Sequence, residues 1–178
     1  MDDVTRIIHS ARLIDAGAET PDAWIRVEAG RVAASGTGDA WRALGADEAV
    51  DARDVAGEGA LLTPGFVDLH GHGGGGRAHE EGAEAIQVAR AMHLAHGTTR
   101  AVISLVAGSP DDLAARLGAI ADLAETDASV LGAHLEGPFL DPGHHGAHDP
   151  ALLIAPTPDV VAALIEAARG SLVQVTLA

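Results

Sequence analysis

The sequence contains no cysteine and no lysine, and only 2% of its 178 residues are aromatic. Without cysteine, neither a disulfide framework nor a thiolate metal site is available. Without lysine, arginine carries every basic side chain, and the formal net charge at pH 7 is -15. So acidic a chain is not expected to bind nucleic acid nonspecifically, because that requires a basic surface to displace counterions. An anionic substrate stays compatible, since one arginine, a backbone nest or a metal can hold a phosphate. No apolar run is long enough to span a bilayer, and the start, with Asp2, Asp3 and Arg6, lacks a signal-peptide pattern. The expectation is a cytoplasmic protein with no membrane partner. With 47% hydrophobic residues and few aromatics, one substantial core would be filled by Leu, Val, Ile and Ala.

What the chain does contain is a stretch rich in histidine and glycine, Pro64-Gly65-Phe66-Val67-Asp68-Leu69-His70-Gly71-His72-Gly73-Gly74-Gly75-Gly76. A short apolar run closes on two histidines one residue apart. On an extended strand, side chains at i and i+2 share a face. His70 and His72 can therefore converge on one metal ion, with glycine letting the backbone turn closely around it. A second stretch, His134-Leu135-Glu136-Gly137-Pro138-Phe139, has the same form. Glu136 can bind one cation or bridge two, and Gly137-Pro138 turns the chain abruptly behind it. Strands ending in metal-compatible residues suggest a site at the C-terminal rim of a parallel barrel.

In chain order, residues 4–35 read as short strands, with Glu28-Ala29-Gly30-Arg31 as a hairpin connection and Gly30 at positive φ. Residues 36–60 are less regular and link a small β-layer to the rest, with Asp51 to Val55 as one more strand. From Leu61 apolar strands alternate with Ala-rich helices. Phe66–Leu69 is the first core strand, followed by a helix over Glu80–His96 and a strand over Thr98–Val106. Pro110 opens a helix that runs to about Glu125, with Asp111 and Asp112 against its positive end. Ser129–Ala133 leads to His134 and Glu136, and a helix over Asp159–Arg169 precedes a strand over Ser171–Leu177. Repeated strand–helix units imply a parallel sheet. Four strands fit an open α/β sheet or half of an eight-stranded barrel. An intact barrel takes about 250 residues, so the expectation is the N-terminal portion of a longer enzyme.

Other residues carry open alternatives. Asp68 can support a ligand histidine, cap the strand or pair with an arginine. His134 can be a ligand, a substrate contact or a satisfied structural histidine. His144 and His145 fit part of a lid, an approach to a substrate, or a solvent-exposed pair. His79, His93 and His96 lie on or beside a helix and are poor ligand candidates. Gly73–Gly76 is no nucleotide P-loop, because the lysine is absent. A Gly-x-Ser-x-Gly nucleophile elbow is absent as well.

Four stretches resemble the N-acetylglucosamine-6-phosphate deacetylases of the amidohydrolase superfamily. They are Pro64 to Gly73, Gly97-Thr98-Thr99, His134-Leu135-Glu136-Gly137-Pro138-Phe139-Leu140 and Gly146-Ala147-His148-Asp149-Pro150. The first is shared broadly by amidohydrolases; the last two discriminate for the deacetylases. The resemblance implies an α/β fold, a partial TIM barrel over residues 61–178 with a small β-sandwich portion and linker over residues 1–60. It implies one or two divalent ions, zinc or another transition metal, with Glu136 on the principal ion and His70 and His72 on the other. It makes Ala147, through its backbone, and His148 contacts of a phosphorylated N-acetyl amino sugar. The catalytic aspartate is expected beyond residue 178, and the full-length parent is expected to act as a homodimer. The implied reaction is deacetylation of N-acetylglucosamine 6-phosphate, with the chain by itself inactive. The alternatives are another metal-dependent amidohydrolase, acting on a cyclic amide or acylamino acid, and a noncatalytic binding or interaction fragment.

Overall fold

The structure is a computed structural model that describes residues 4–178, so Asp2 and Asp3 of the expected non-signal start lie outside the described residues. The chain divides into two compact units, Met1–Pro64 and Gly65–Ala178.

The first unit is one mixed sheet. Strands β1 (Arg6–Asp15), β2 (Ala18–Glu28) and β3 (Arg31–Thr37) form an antiparallel meander. Ala29 and Gly30 both take positive φ, 46° and 73°, as the two-residue turn that matches the right-handed strand twist requires. Strands β4 (Glu48–Asp51) and β5 (Leu61–Leu62) pair with β1 in parallel. Its interior is small: Ala11, Ala52 and Ala60 pack with Ile8 and Leu62. The strand expected over Asp51 to Val55 is instead the end of β4 followed by a short helix, α1 (Ala52–Ala56). Asp51 accepts a hydrogen bond from the Arg53 N–H and starts that helix as an N-cap. A sandwich needs a second sheet packed on the first, and this unit does not itself supply one among the described residues.

The second unit alternates strand and helix. After β6 (Phe66–Asp68) comes a short ribbon of β7 (Gly73–Gly74) and β8 (Arg77–Ala78). Then follow α2 (Ala83–Ala95), β9 (Thr98–Leu105), α3 (Pro110–Thr126), β10 (Val130–Glu136), α4 (Pro158–Ala167) and β11 (Leu172–Thr176). The main sheet is parallel throughout, in the order β11-β10-β9-β6. A doubly wound sheet reverses its strand order at a switch point; here each strand lies beside its predecessor. That is the winding of a half-barrel.

The central strands divide their residues by the period of two. Ile103, Leu105, Ala133 and Leu135 pack with Leu113, Leu117 and Ile120 of α3 and with Leu164 of α4. Each fully buried Leu or Ile there stabilises the unit by roughly 1.5–3 kcal/mol. Ser104, His134 and Glu136 alternate with these core residues and occupy the opposite face. The edges differ: Phe66 of β6 is 64% exposed and Val173 of β11 is 53% exposed. Helix α3 begins as its sequence suggests, with Ser109 accepting from the Asp112 N–H and Pro110 in the first turn. Helix α2 begins later than expected. His79–Glu81 is a separate 3-10 turn, Gly82 follows at φ 105°, and the Glu81 carboxylate is occupied by the Ala78 N–H and Arg77. No helix among the described residues is long and apolar enough to cross a membrane.

Candidate metal centre

Glu136 is the last residue of β10, a strand paired on both sides. Behind it Gly137 turns the chain at φ 93°, where an added Cβ would lie 2.9 Å from the Ala107 Cβ. Only glycine allows this close approach between the ends of β9 and β10 without displacing one of them.

The two histidines are placed differently from the expectation. Strand β6 ends at Asp68, so His70 and His72 lie on the following loop and do not share a strand face. Polar contacts hold that loop. Asp68 Oδ1 accepts from the His70 N–H at 3.1 Å, so Asp68 caps the strand end. The Gly71 N–H donates to Ser104 Oγ at 3.2 Å, and the Ser104 N–H donates to the Gly71 carbonyl at 3.1 Å. The His79 N–H donates to the His72 carbonyl at 3.0 Å, and His93 Nε2 donates to the Gly73 carbonyl at 2.9 Å. At Gly73 an added Cβ would meet the Arg77 carbonyl at 2.1 Å, so the ribbon after the histidines needs glycine there.

The result is convergence. His72 Nε2 lies 2.7 Å from Glu136 Oε2 and 3.2 Å from His70 Nε2, and His70 Nε2 lies 3.5 Å from Glu136 Oε2. All three ligand-type atoms lie within 4.8 Å of one another. Two ligand atoms on a tetrahedral ion with bonds of about 2.1 Å stand roughly 3.4 Å apart. The two distances from His70 fit that spacing; the His72–Glu136 distance is that of a hydrogen bond. Two imidazoles and a carboxylate, with no thiolate, suit a borderline divalent transition ion. His72 Nδ1 is buried without a hydrogen-bond partner, while its Nε2 faces the Glu136 carboxylate.

A cavity of about 610 Å³ opens over these residues, lined also by Val106, Ala107, Leu140, Thr176 and residues 144–149. Both expected substrate contacts, Ala147 and His148, line it. His148 Nδ1 accepts from the Ala107 N–H at 3.2 Å, which leaves Nε2 facing Glu136 Oε2 at 3.7 Å. His145 donates from Nδ1 to the His148 carbonyl at 2.9 Å. His144 is exposed beside Asp141.

His134 resolves to the structural alternative. It is fully buried, with Nδ1 2.9 Å from Ser104 Oγ and Nε2 2.8 Å from Thr176 Oγ1. Both ring nitrogens are committed. Burial above all, then the neighbouring His70, holds its pKa below the usual histidine value. His79 is buried too, donates from Nδ1 to the Ser104 carbonyl at 3.3 Å, and is pushed down chiefly by desolvation. His96 is exposed at the end of α2. Ser104, His93 and Thr176 carried no sequence signal beyond their place in a strand or helix; their roles arise from residues far along the chain.

No family model matches the chain. Over 123 residues it is 32% identical to an N-acetylglucosamine-6-phosphate deacetylase of Caenorhabditis elegans, a match covering 64% of this chain and 29% of that protein. The solved N-acetyl-D-glucosamine-6-phosphate deacetylase of Mycobacterium smegmatis superposes with a TM-score of 0.83 and 30% identity over 98% of this chain. Several of the curated proteins this chain is similar to are named as amino-sugar phosphate deacetylases. One of them, from Escherichia coli O157:H7, is named for N-acetylgalactosamine 6-phosphate and is 34% identical over 96 residues, 52% of this chain and 26% of that protein. The chain spans less than half the length of these deacetylases: 44% of the solved Mycobacterium smegmatis chain.

Proposed function

We propose that this chain carries the metal-binding part of a deacetylase site for a 6-phosphorylated N-acetyl amino sugar. The reaction is N-acetylglucosamine 6-phosphate plus water giving glucosamine 6-phosphate and acetate. The observation that carries this reading is the meeting of His70, His72 and Glu136 at one mouth of the parallel sheet, in a chain 30% identical along nearly its whole length to a deacetylase of that substrate.

His70, His72 and Glu136 would hold one or two divalent ions, zinc or another transition metal. A divalent ion there supplies Lewis-acid polarisation of the amide carbonyl and a more acidic water at neutral pH. The residues of the chain supply position and orientation. The Glu136 carboxylate is aimed by the strand end, and the two imidazoles by the clamped loop. His148, whose Nδ1 is occupied by the Ala107 N–H, presents Nε2–H to the cavity as a donor for a sugar oxygen. Ala147 offers its backbone to the same substrate. By the resemblance, an aspartate from beyond residue 178 takes the proton of the attacking water and passes it to the leaving amine; no group of this chain is assigned that role.

The same proposal reads residues 1–60 as part of a small β-sandwich with its linker, and residues 61–178 as the N-terminal half of a (β/α)8 barrel. A phosphorylated sugar is retained inside cells by its charge, in keeping with a cytoplasmic setting. The test has two steps. Titration of the chain with Co2+ should give saturable binding that depends on Glu136. Replacing the matching segment of the Mycobacterium smegmatis enzyme with this chain should give a chimera that releases acetate from N-acetylglucosamine 6-phosphate, with the galactosamine epimer run alongside. The chain alone should release little or none. A folded chimera without metal-dependent turnover on either epimer overturns the reading.

A further inference from the structure

Ser104 is the most heavily used polar residue beneath the metal centre. It lies in β9, one residue before the strand ends, and is fully buried. Its N–H donates to the Gly71 carbonyl at 3.1 Å, and its hydroxyl oxygen accepts from the Gly71 N–H at 3.2 Å. Gly71 is the residue between the two histidines, so both of its backbone polar groups are gripped by one partner. The Ser104 carbonyl accepts from His79 Nδ1. The Ser104 hydroxyl also hydrogen-bonds His134 Nδ1 at 2.9 Å, and His134 Nε2 hydrogen-bonds Thr176 Oγ1 at 2.8 Å. A chain of hydrogen bonds therefore runs from the histidine loop across β9 and β10 to β11.

That grip matters because β6 has already ended. Beyond Asp68 no strand ladder fixes His70-Gly71-His72, and a loop without such anchors samples many conformations. Ring nitrogens 3.2 Å apart demand that the intervening residue be fixed in position and orientation. Two hydrogen bonds to one buried side chain and its own backbone do both. Partners behind the ligands commonly set metal affinity in this way, by orienting groups that the ion itself cannot orient.

We propose that Ser104 is a positioning residue of the metal centre: through Gly71 it sets the convergence of His70 and His72, and through His134 and Thr176 it ties that loop to the end of β11. This rests on reading His70, His72 and Glu136 as the ligand set.

The test uses the 178-residue chain and three variants. Ser104→Ala removes the hydroxyl, Ser104→Cys keeps the volume but offers a poor acceptor, and Ser104→Thr restores the oxygen. Amide hydrogen exchange at Gly71 and His72 is read without metal, and Co2+ affinity is read from its absorption. The expected result is at least a fivefold faster exchange at Gly71 in the Ala and Cys variants, with strands β1 and β2 unchanged as the folding control. Co2+ affinity should fall by about 10–100-fold in the same two variants, and Ser104→Thr should recover both readouts. If wild-type chain binds Co2+ and the Ala and Cys variants match it within twofold, the Ser104 assignment is overturned and the ligand set stands. If the Ala and Cys variants lose affinity but Thr does not regain it, the hydroxyl is not the cause and the assignment also falls. If the wild-type chain binds no Co2+, the ligand set itself is overturned, whatever happens to exchange at Gly71.

Discussion

Glu136 and the pair His70/His72 reach the same point by different means. Glu136 ends a strand whose backbone is paired on both sides, with Leu135 opposite Leu105 of β9 and Glu136 opposite Thr176 of β11. Its position comes from the sheet ladder. The histidines lie past the end of β6, and side chains from Ser104, Asp68 and His93 hold their loop. The first arrangement is vulnerable to steric change at the turn behind it, the second to loss of single polar atoms. A ligand on a strand inherits the rigidity of the sheet; a ligand on a loop must be given it.

The largest effect should come from the shared carboxylate. Glu136→Ala removes the only acid among the three converging groups, and Co2+ affinity should fall at least about 100-fold, beyond the loss typical for a supporting residue. In the Mycobacterium smegmatis chimera the same change should abolish most acetate release. Unchanged metal content with near-native turnover would remove Glu136 from the site.

Within the loop-borne pair the two rings are not equivalent. His72 is the less exposed and touches both partners at 3.2 Å or closer. His72→Ala should weaken Co2+ binding more than His70→Ala, by about tenfold between them on the scale seen for metal-site substitutions. Equal losses, or a metal-loaded crystal whose anomalous peaks neither ring approaches, would contradict the convergence seen here.

The strand-borne side can be probed sterically. Gly137→Ala places a methyl 2.9 Å from the Ala107 Cβ at a φ of 93°, and should cost about 1–3 kcal/mol of stability. Urea denaturation measures this. A loss within a few tenths would mean that the turn behind Glu136 yields freely, and the contrast between a rigid strand and a clamped loop would not hold.

The smallest effect concerns pH. His79 supports the loop from its buried position, facing Glu80, His72 and His93, and desolvation lowers its pKa below the ordinary histidine value. In the window between the lowered folded value and the ordinary value near 6.5, the unfolded chain binds more protons than the folded one, so stability rises with pH. The contribution is complete above the unfolded value and is lost as pH falls through the folded one. Denaturation midpoints from pH 7.5 down to pH 5 should decline, and His79→Asn should flatten part of that decline. An identical slope in the variant would show that His79 does not cause it.

The sequence by itself determined the order of the main-sheet strands and their helices in the second unit, the start of α3 at Pro110, and which side chains have ligand chemistry. These are local properties: apolar strands alternating with Ala-rich helices, a proline at a helix start, glycine where φ is positive. The resemblance to the deacetylases was also legible, in short motifs. Local pattern failed where a competing local bond won. Asp51 capped a helix instead of extending a strand, and Gly82 with the Glu81 carboxylate delayed α2. The tertiary structure alone decided that β6 stops before His70, so the histidine pair converges through a loop and not through a shared strand face. It alone joined Ser104 to Gly71, 33 residues away, and His134 to Thr176, 42 residues away. Periodicity says which face a residue occupies, but the partner it meets there depends on strand register and sheet order, which no local stretch of sequence contains.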